Sequence, residues 1–197
     1  GRMVKIRYSL LPYLYSEYMK AALRDEMMFR PLAFDYPEDP FADQVEDQLM
    51  VGNSIMIAPV YQQNATGRYV YLPEDMMLVS MRSPEEYTVQ VVEKGHHYVP
   101  VVMDELIFFV RKNHVIPMAK SAKSVAEMDF EHLSLLGYVT DKAVYELYDD
   151  DGNSKDYDDP AHYEKITVRA DGSVRQSGKL KKVFEKTDGI LNQITRC

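Results

Sequence analysis

The spacing of apolar residues along the chain changes near position 46, from a helical period to the alternation of strands. Between residues 4 and 23, apolar side chains recur at the spacing of one helix face, at Leu11, Leu14, Tyr15, Tyr18 and Ala22. A second apolar line along this segment indicates burial on more than one side. Pro12 predicts a kink or a fresh start one residue earlier. The pattern therefore predicts a long N-terminal α-helix.

The next segment contains prolines among acidic residues. Pro31, Pro37 and Pro40 lie within residues 25–47. Proline disfavours helix at the residue before it, so extended or turn structure is expected there. We treat residues 1–45 as a first unit, formed by the helix and a proline-rich strap.

The first core strand is predicted after Gly52. Residues 46–60 begin polar, turn at Gly52-Asn53 and then remain apolar up to Pro59, as in a strand buried on both faces. Further strands are predicted from alternation or short apolar runs, at residues 68–73, 87–92, 97–99, 106–110 and 115–117. Short turns between them, such as the one at Gly95, are typical of an antiparallel β-sandwich, which we assign to residues 46–119.

A smaller β-region is predicted for the remainder. After a linker at residues 119–131, strands are predicted at 132–140, 143–148, 163–170 and around Val174. A helix is possible over residues 179–194. The predicted fold is thus mainly β: a long N-terminal α-helix, an antiparallel β-sandwich, and a second β-region over residues 120–197.

Composition narrows the class of protein. The 197 residues are 46% hydrophobic and 27% charged, which is typical of a globular domain with its own core. A net charge of −8 argues against a nucleic-acid partner, and the basic cluster Lys179, Lys181 and Lys182 is expected to be a solvated surface. No apolar run reaches the ~20 residues of a membrane span. One cysteine, Cys197, and no evident signal peptide lead us to expect a reducing, cytoplasmic location.

An acidic cluster raises the possibility of a calcium site, at Asp149, Asp150, Asp151, Asp156, Asp158 and Asp159. Aligning Gly152 with the glycine of an EF-hand loop places Leu147 at the first carboxylate position, so the pattern fails. A solvated acidic hairpin is expected instead. His96 and His97 would point to opposite faces of a strand, and His114 has no partner at metal-ligand spacing. We assign no metal or cofactor ligands.

Several segments carry a family resemblance. They include Arg-Tyr-Ser-Leu-Leu-Pro-Tyr-Leu-Tyr and Asp-Gln-Leu-Met-Val-Gly-Asn-Ser-Ile-Met-Ile-Ala-Pro-Val, and they lie in order at residues 7–15, 30–39, 47–60, 68–73, 107–117 and 147–152. This ordered set resembles the C-terminal part of glycoside hydrolase family 31 α-glucosidases. The resemblance implies a last barrel helix and a strap docked on a catalytic (β/α)8 barrel, then proximal and distal β-domains. The parent reaction it implies is retaining hydrolysis of terminal α-linked glucose.

Two positions depart from the family pattern. Lys112-Asn113 stands where the family usually has Gly-Gly, so Asn113 is expected to adopt a positive φ. Met76-Met77-Leu78 stands where a tryptophan often follows the Val-Tyr-Leu-Pro strand. These departures indicate a divergent member.

No catalytic residue is assigned. The resemblance places the family's catalytic aspartates upstream, so none of them transfers to this chain. Glycoside hydrolysis needs two carboxylates around one bond, and the strand-flanking residues Glu46, Asp47 and Asp104 are the nearest candidates. We expect them to be caps and turn residues, and we expect the chain alone to be inactive.

Two alternatives remain open. The chain could be a free-standing carbohydrate-binding or assembly module, with a platform from Tyr69, Tyr71, Tyr87 and Tyr98, although alternation makes at least half of these core residues. A helix apolar on several sides also predicts a homo-oligomer, with contacts at Tyr8, Leu11, Tyr15 and Tyr18.

Overall fold

Two helices, not one, begin the chain. The computed structural model describes residues 1–189, with residues 186–188 by backbone alone, and it places α1 at Arg2–Ser9 and α2 at Leu11–Arg24. The predicted long helix is therefore confirmed in part: the segment is helical, but it divides into two helices at the predicted fresh start at Leu11. Pro12 lies in the first turn of α2, where its missing N–H would have had no helical partner.

The strap is short and irregular, as predicted, but it includes a single helical turn. Strand β1 (Phe29–Pro31) leads directly into α3 (Leu32–Asp35), and a 3-10 turn follows at Ala42–Gln44. Proline at the residue before α3 is compatible with a helix because Pro31 keeps an extended ψ of 151°.

Together with β1, the remaining strands form four sheets. Their bounds are β2 (Leu49–Val51), β3 (Ile55–Ile57), β4 (Gly67–Leu72), β5 (Met76–Ser83), β6 (Glu86–Val92), β7 (Gly95–Pro100), β8 (Leu106–Arg111), β9 (His114–Lys120), β10 (Asp129–Tyr138), β11 (Lys142–Tyr148), β12 (Tyr163–Arg169), β13 (Val174–Gly178) and β14 (Val183–Asp188). The largest sheet has the order β1-β2-β3-β8-β5-β6, and all its neighbouring strands are antiparallel. The mainly β, largely antiparallel class is confirmed.

Three smaller sheets complete the fold. Strands β4 and β7 form a two-stranded antiparallel ribbon, β11-β12-β13 form an antiparallel meander, and β9-β10-β14 form the third. In this third sheet β14 runs parallel to β10. The predicted helix over residues 179–194 is thus wrong up to residue 188, and its last residues lie outside the described part of the chain, as does Cys197.

The predicted turn at Gly52 and the strand after it are present, but β3 is not the first strand, since β1 and β2 precede it. Gly52 lies at this turn with φ of +61°, a conformation that glycine adopts without strain. Ile55 is buried and Ile57 half-buried. Asn113 takes a φ of 59°, as expected for a residue replacing glycine, and its side-chain Oδ1 accepts from Thr140 N and Asp141 N.

The six-stranded sheet separates two apolar clusters. One face packs against α1, α2 and β9-β10, through residues such as Val51, Met77 and Val110. The other face packs against the strap and the β4–β7 ribbon, through residues such as Met56 and Phe109. The first cluster also includes residues of β11 and β12, so one continuous core joins the helix pair to both β-regions.

Candidate functional site

The three candidate carboxylates lie in two places, and all are exposed. Glu46 and Asp47 line a shallow depression before β2. Asp104 lies on the loop before β8, where its side chain is 72% exposed and 4.0 Å from Arg2. Asp47 is paired with the guanidinium of Arg68 at 2.6 Å. Asp47 therefore holds the side chain of Arg68 in place. The prediction for this chain is unchanged: we assign no catalytic residue.

The acidic hairpin is less solvated than predicted. Asp150 accepts hydrogen bonds from the hydroxyls of Tyr15 and Tyr148 at 2.9 and 2.8 Å. Burial, followed by the bond to Asp150, raises the pKa of Tyr15 to about 12. Asp149 lies 2.6 Å from the ammonium of Lys182, whose side chain is only 2% exposed, so Lys182 is not the solvated residue expected. Asp151 fits the expectation: it accepts from the backbone of Asn153 and Ser154 in an exposed turn.

The histidines occupy unrelated positions. His96 contacts the rings of Tyr71 and Phe41, while His97 bonds to the carbonyl of Glu93. Burial lowers the pKa of His114. Within residues 1–189 the structure shows no group of three or more His, Cys, Asp or Glu residues arranged to hold a metal ion.

A buried polar network fixes α2 to the β2–β3 hairpin. Glu17 and Lys20, 4% and 5% exposed, form an ion pair within α2. Glu17 also accepts from the Tyr145 hydroxyl at 2.8 Å and from the Asn53 N–H at 3.1 Å. Because every charged atom of such a pair needs partners when water is absent, this geometry fixes the orientation of α2 on the β-core.

The Tyr13 hydroxyl strengthens the same junction. It donates to the Val51 carbonyl at 2.6 Å and accepts from Ser54 N at 3.0 Å. Burial, followed by the charge of Glu17, raises its pKa far above the ordinary value, so the hydroxyl remains protonated. Sequence patterns did not identify Glu17 or Lys20, which have the spacing of an ordinary surface pair.

A second polar network fixes the strap. Arg30 forms a bidentate pair with Asp35 at 2.8 and 2.9 Å. Arg111 bonds to Glu74 at 2.8 Å, and its guanidinium lies 5.0 Å from the ring of Tyr36. Arg111 also lies 3.7 Å from Asp35, and Arg30 donates to the Gly52 carbonyl at 3.1 Å, so the network ties the strap to β8 and to the β2–β3 turn. No short motif associates Glu74 with Arg111, which are 37 residues apart.

Large apolar side chains are exposed on the helix pair and on the strap, and we call this set the helix–strap face. Its members each have between 42% and 61% of their surface exposed, and they are Met3, Val4, Tyr18, Met27, Phe29 and Phe34. Four residues of the helix pair were predicted as contacts between copies of the chain. Of these, Tyr18 is exposed, whereas Tyr8, Leu11 and Tyr15 are half-buried. Large apolar groups held at a rigid surface are typical of protein interfaces.

Two of the four candidate platform tyrosines are exposed. Tyr69 and Tyr71 share a face of β4, and Tyr71 is buried because Phe41 and His96 pack against its ring. Tyr71 is 4% exposed and Tyr87 is half-buried. Tyr69 and Tyr98 are 76% and 55% exposed and lie opposite each other on the ribbon.

Residues 25–116 match the sequence profile of the glycosyl hydrolase family 31 C-terminal domain. The chain resembles the C-terminal part of family 31 glycoside hydrolases. Alpha-glucosidase 2 of Bacillus thermoamyloliquefaciens is 30% identical over 160 residues, 80% of this chain and 19% of that protein. Lysosomal alpha-glucosidase of Bos taurus is 31% identical over 178 residues, with 84% and 19% covered.

The fold agrees with a solved family 31 structure. A dextranase of Flavobacterium johnsoniae, complexed with glucose, superposes with a TM-score of 0.70 at 25% identity, over 84% of this chain and 20% of that chain. The chain thus spans about a fifth of the length of these relatives. No helix within the described residues is long and apolar enough to cross a membrane.

Proposed function

We propose that this chain is a non-catalytic C-terminal portion of an α-glucosidase-like glycoside hydrolase, and that it supports the catalytic (β/α)8 barrel. In this proposal the barrel performs retaining hydrolysis of terminal α-linked glucose. The observation that carries the proposal is the exposed apolar face of the helix pair and strap. A face of this kind needs a partner, and relatives about five times longer contain the sequence that could supply one.

The rigidity of this face supports the proposal. The Glu17–Lys20 network fixes α2, and the Arg30–Asp35 pair fixes the strap that presents Phe29 and Phe34. A preorganised surface loses little side-chain or loop entropy on docking, so more of its apolar contact contributes to affinity. The networks therefore favour a permanent interface over a mobile one.

An assembly role for the isolated chain is the second candidate. Without a barrel, the same face would be available to a second copy, and the exposed Tyr18 of α2 favours this contact. We also propose a cytoplasmic location, based on the single cysteine.

The chain alone is expected to release no glucose. Hydrolysis requires two carboxylates around one anomeric carbon, one of them a general acid with a raised pKa. Exposed Glu46 and Asp47 share a depression, and Asp47 is held by Arg68. We expect no turnover of p-nitrophenyl α-glucoside, maltose or isomaltose by concentrated chain.

The matched controls are Glu46→Ala, Asp47→Ala and Asp104→Ala. Each is expected to give the same background signal as the unaltered chain. Glucose release that disappears in any one of these variants would contradict the non-catalytic assignment.

A further inference from the structure

The outer face of the β4–β7 ribbon bears a row of aromatic side chains. Tyr69 and Tyr98 pair across the ribbon with ring centroids 5.1 Å apart. The next pair on the same face, Tyr71 and His96, has centroids 4.8 Å apart, and Phe41 of the strap contacts both rings. Alternate residues of a strand share a face at intervals of ~7 Å, so these pairs form a continuous row.

The row is extended at one end by Tyr61. Tyr61, on the loop after β3, is 72% exposed, and the centroid of its ring lies 5.9 Å from the guanidinium carbon of Arg68. Tyr61 and Tyr98 bound a recess of about 300 Å³ whose lining includes Arg68 and Asp47. We call the exposed rings Tyr61, Tyr69, Tyr98, His96 and Phe41 the aromatic strip. Tyr71 is only 4% exposed, and it supports the strip by packing against Phe41 and His96.

The polar groups beside the strip are held in place. The Arg68 side chain is only 11% exposed and bonds to the Asp47 carboxylate at 2.6 Å and to the Tyr69 carbonyl at 3.1 Å, and it also donates to the Pro59 carbonyl. A Cβ at Gly67 would lie 2.6 Å from the Tyr98 ring, so this ring packs directly on the glycine backbone. Rings and hydrogen-bonding groups are thus preorganised before any ligand arrives.

At the other end of the strip, Asp39 accepts from the Tyr71 hydroxyl at 2.7 Å and from the Lys94 ammonium at 2.7 Å. The bond to Lys94, with that from Tyr71, lowers the pKa of Asp39 to about 2. Each cation beside the strip is therefore matched by a carboxylate, and Glu46 adds an unmatched negative charge. This balance disfavours polyanions and favours a neutral ligand.

We propose that the aromatic strip binds a neutral oligosaccharide. Pyranose rings present C–H faces that pack on the negative face of aromatic rings, and their hydroxyls need donors and acceptors at the edges. The strip supplies both, because ion pairs and hydrogen-bonding groups lie between its rings. A docking surface for a protein would show a more contiguous apolar patch. An α-linked glucan as the ligand rests on the proposed function; a neutral oligosaccharide does not.

This site would hold substrate near a catalytic domain without cleaving it. A binding site linked to a catalytic domain keeps a polymeric substrate close to that domain, so the effective substrate concentration there rises without any new contact in the catalytic site. The inference therefore adds a binding role to the scaffold role, through different side chains.

Titration of the 197-residue chain with maltoheptaose and with an isomalto-oligosaccharide, followed by two-dimensional NMR, tests the inference. We expect saturable shifts at millimolar ligand, centred on residues of β4 and β7. Tyr69→Ala and Tyr98→Ala should each weaken binding about fivefold or more, the equivalent of ~1 kcal/mol per stacking ring. Tyr69→Phe should retain most of the affinity because it keeps the ring.

Tyr157→Ala is the matched control, because Tyr157 is 50% exposed and lies on the acidic loop away from the ribbon. It should bind like the unaltered chain. Absence of shifts with both sugars, or equal binding by Tyr69→Ala, would overturn the inference. Because the titration needs no barrel, its failure is distinguishable from failure of the docking proposal.

Discussion

Replacement of Glu17 by alanine is expected to destabilise the folded chain by about 3–5 kcal/mol, measured by chemical denaturation. The variant would leave the ammonium of Lys20 buried without its carboxylate, at 5% exposure. It would also remove the acceptor of the Tyr145 hydroxyl and of the Asn53 N–H. Such a loss is a large share of a domain's total stability, so the variant should unfold at much lower denaturant concentration.

Glu131→Ala is the matched control for this prediction. Glu131 also pairs with a buried lysine, Lys182, but its own side chain is 69% exposed and Lys182 keeps its bond to Asp149. This change should cost no more than ~1 kcal/mol. Converting both Glu17 and Lys20 to methionine should recover the part of the loss that comes from the unpaired Lys20 ammonium, but not the part that comes from the Tyr145 hydroxyl and the Asn53 N–H. Equal losses in Glu17→Ala and Glu131→Ala would show that the α2 junction is not the buried network described.

Gly52→Ala is expected to destabilise the chain by about 3 kcal/mol more than Gly152→Ala. Both glycines have positive φ, +61° and +68°, so alanine carries a similar backbone strain of ~1–2 kcal/mol at each. They differ in their surroundings: a Cβ at Gly52 would overlap the side chain of Glu17, whereas nothing lies within 4 Å of one at Gly152. Alanine at Gly52 must therefore displace the Glu17 carboxylate from its buried partners.

Thermal or chemical unfolding of the two alanine variants measures this difference directly. The backbone strain is similar in the two variants, so the difference between their free energies of unfolding reports the contact with Glu17. A Gly52→Ala variant as stable as Gly152→Ala would mean that Glu17 can move away without loss, and that the hairpin does not depend on α2.

Local patterns predicted the elements whose signal lies within a few residues. The turn at Gly52, the alternation of β4 and β6 and the restart at Leu11 were all readable, because glycine, alternation and proline act locally. Strand β5 was missed: Met76-Met77-Leu78 was interpreted only as the loss of a tryptophan. Its buried methionines lie between β8 and β6 in the largest sheet, and methionine has no strong strand preference.

The C-terminal strand shows a different limit. Residues 183–188 are mostly polar, and β14 exists because β10 offers a parallel edge to it. Tertiary pairing of this kind overrides local propensity and leaves no periodic trace in the sequence.

The candidate sites show the same difference between features set by local sequence and features set by tertiary contacts. Alternation correctly left some platform tyrosines exposed, and the register of β4 and β7 then placed Tyr69 beside Tyr98. The networks of Glu17 and of Arg111 join residues distant in sequence, so their burial could not be inferred from composition or spacing. The solvated hairpin prediction failed at Asp149 and Asp150 for this reason, since their partners Lys182 and Tyr15 come from opposite ends of the chain.

Binding of this chain to the catalytic (β/α)8 barrel that we propose as its partner, produced separately, tests the central claim most directly. The unaltered chain should bind the barrel and support glucose release by it. A Tyr18→Asp, Phe34→Asp double variant should bind at least ~tenfold more weakly, because it places two charges in an apolar interface. Tyr157→Asp should bind normally, since Tyr157 lies outside the helix–strap face. Equal binding by the double variant and the unaltered chain, or no binding by either, would contradict the account.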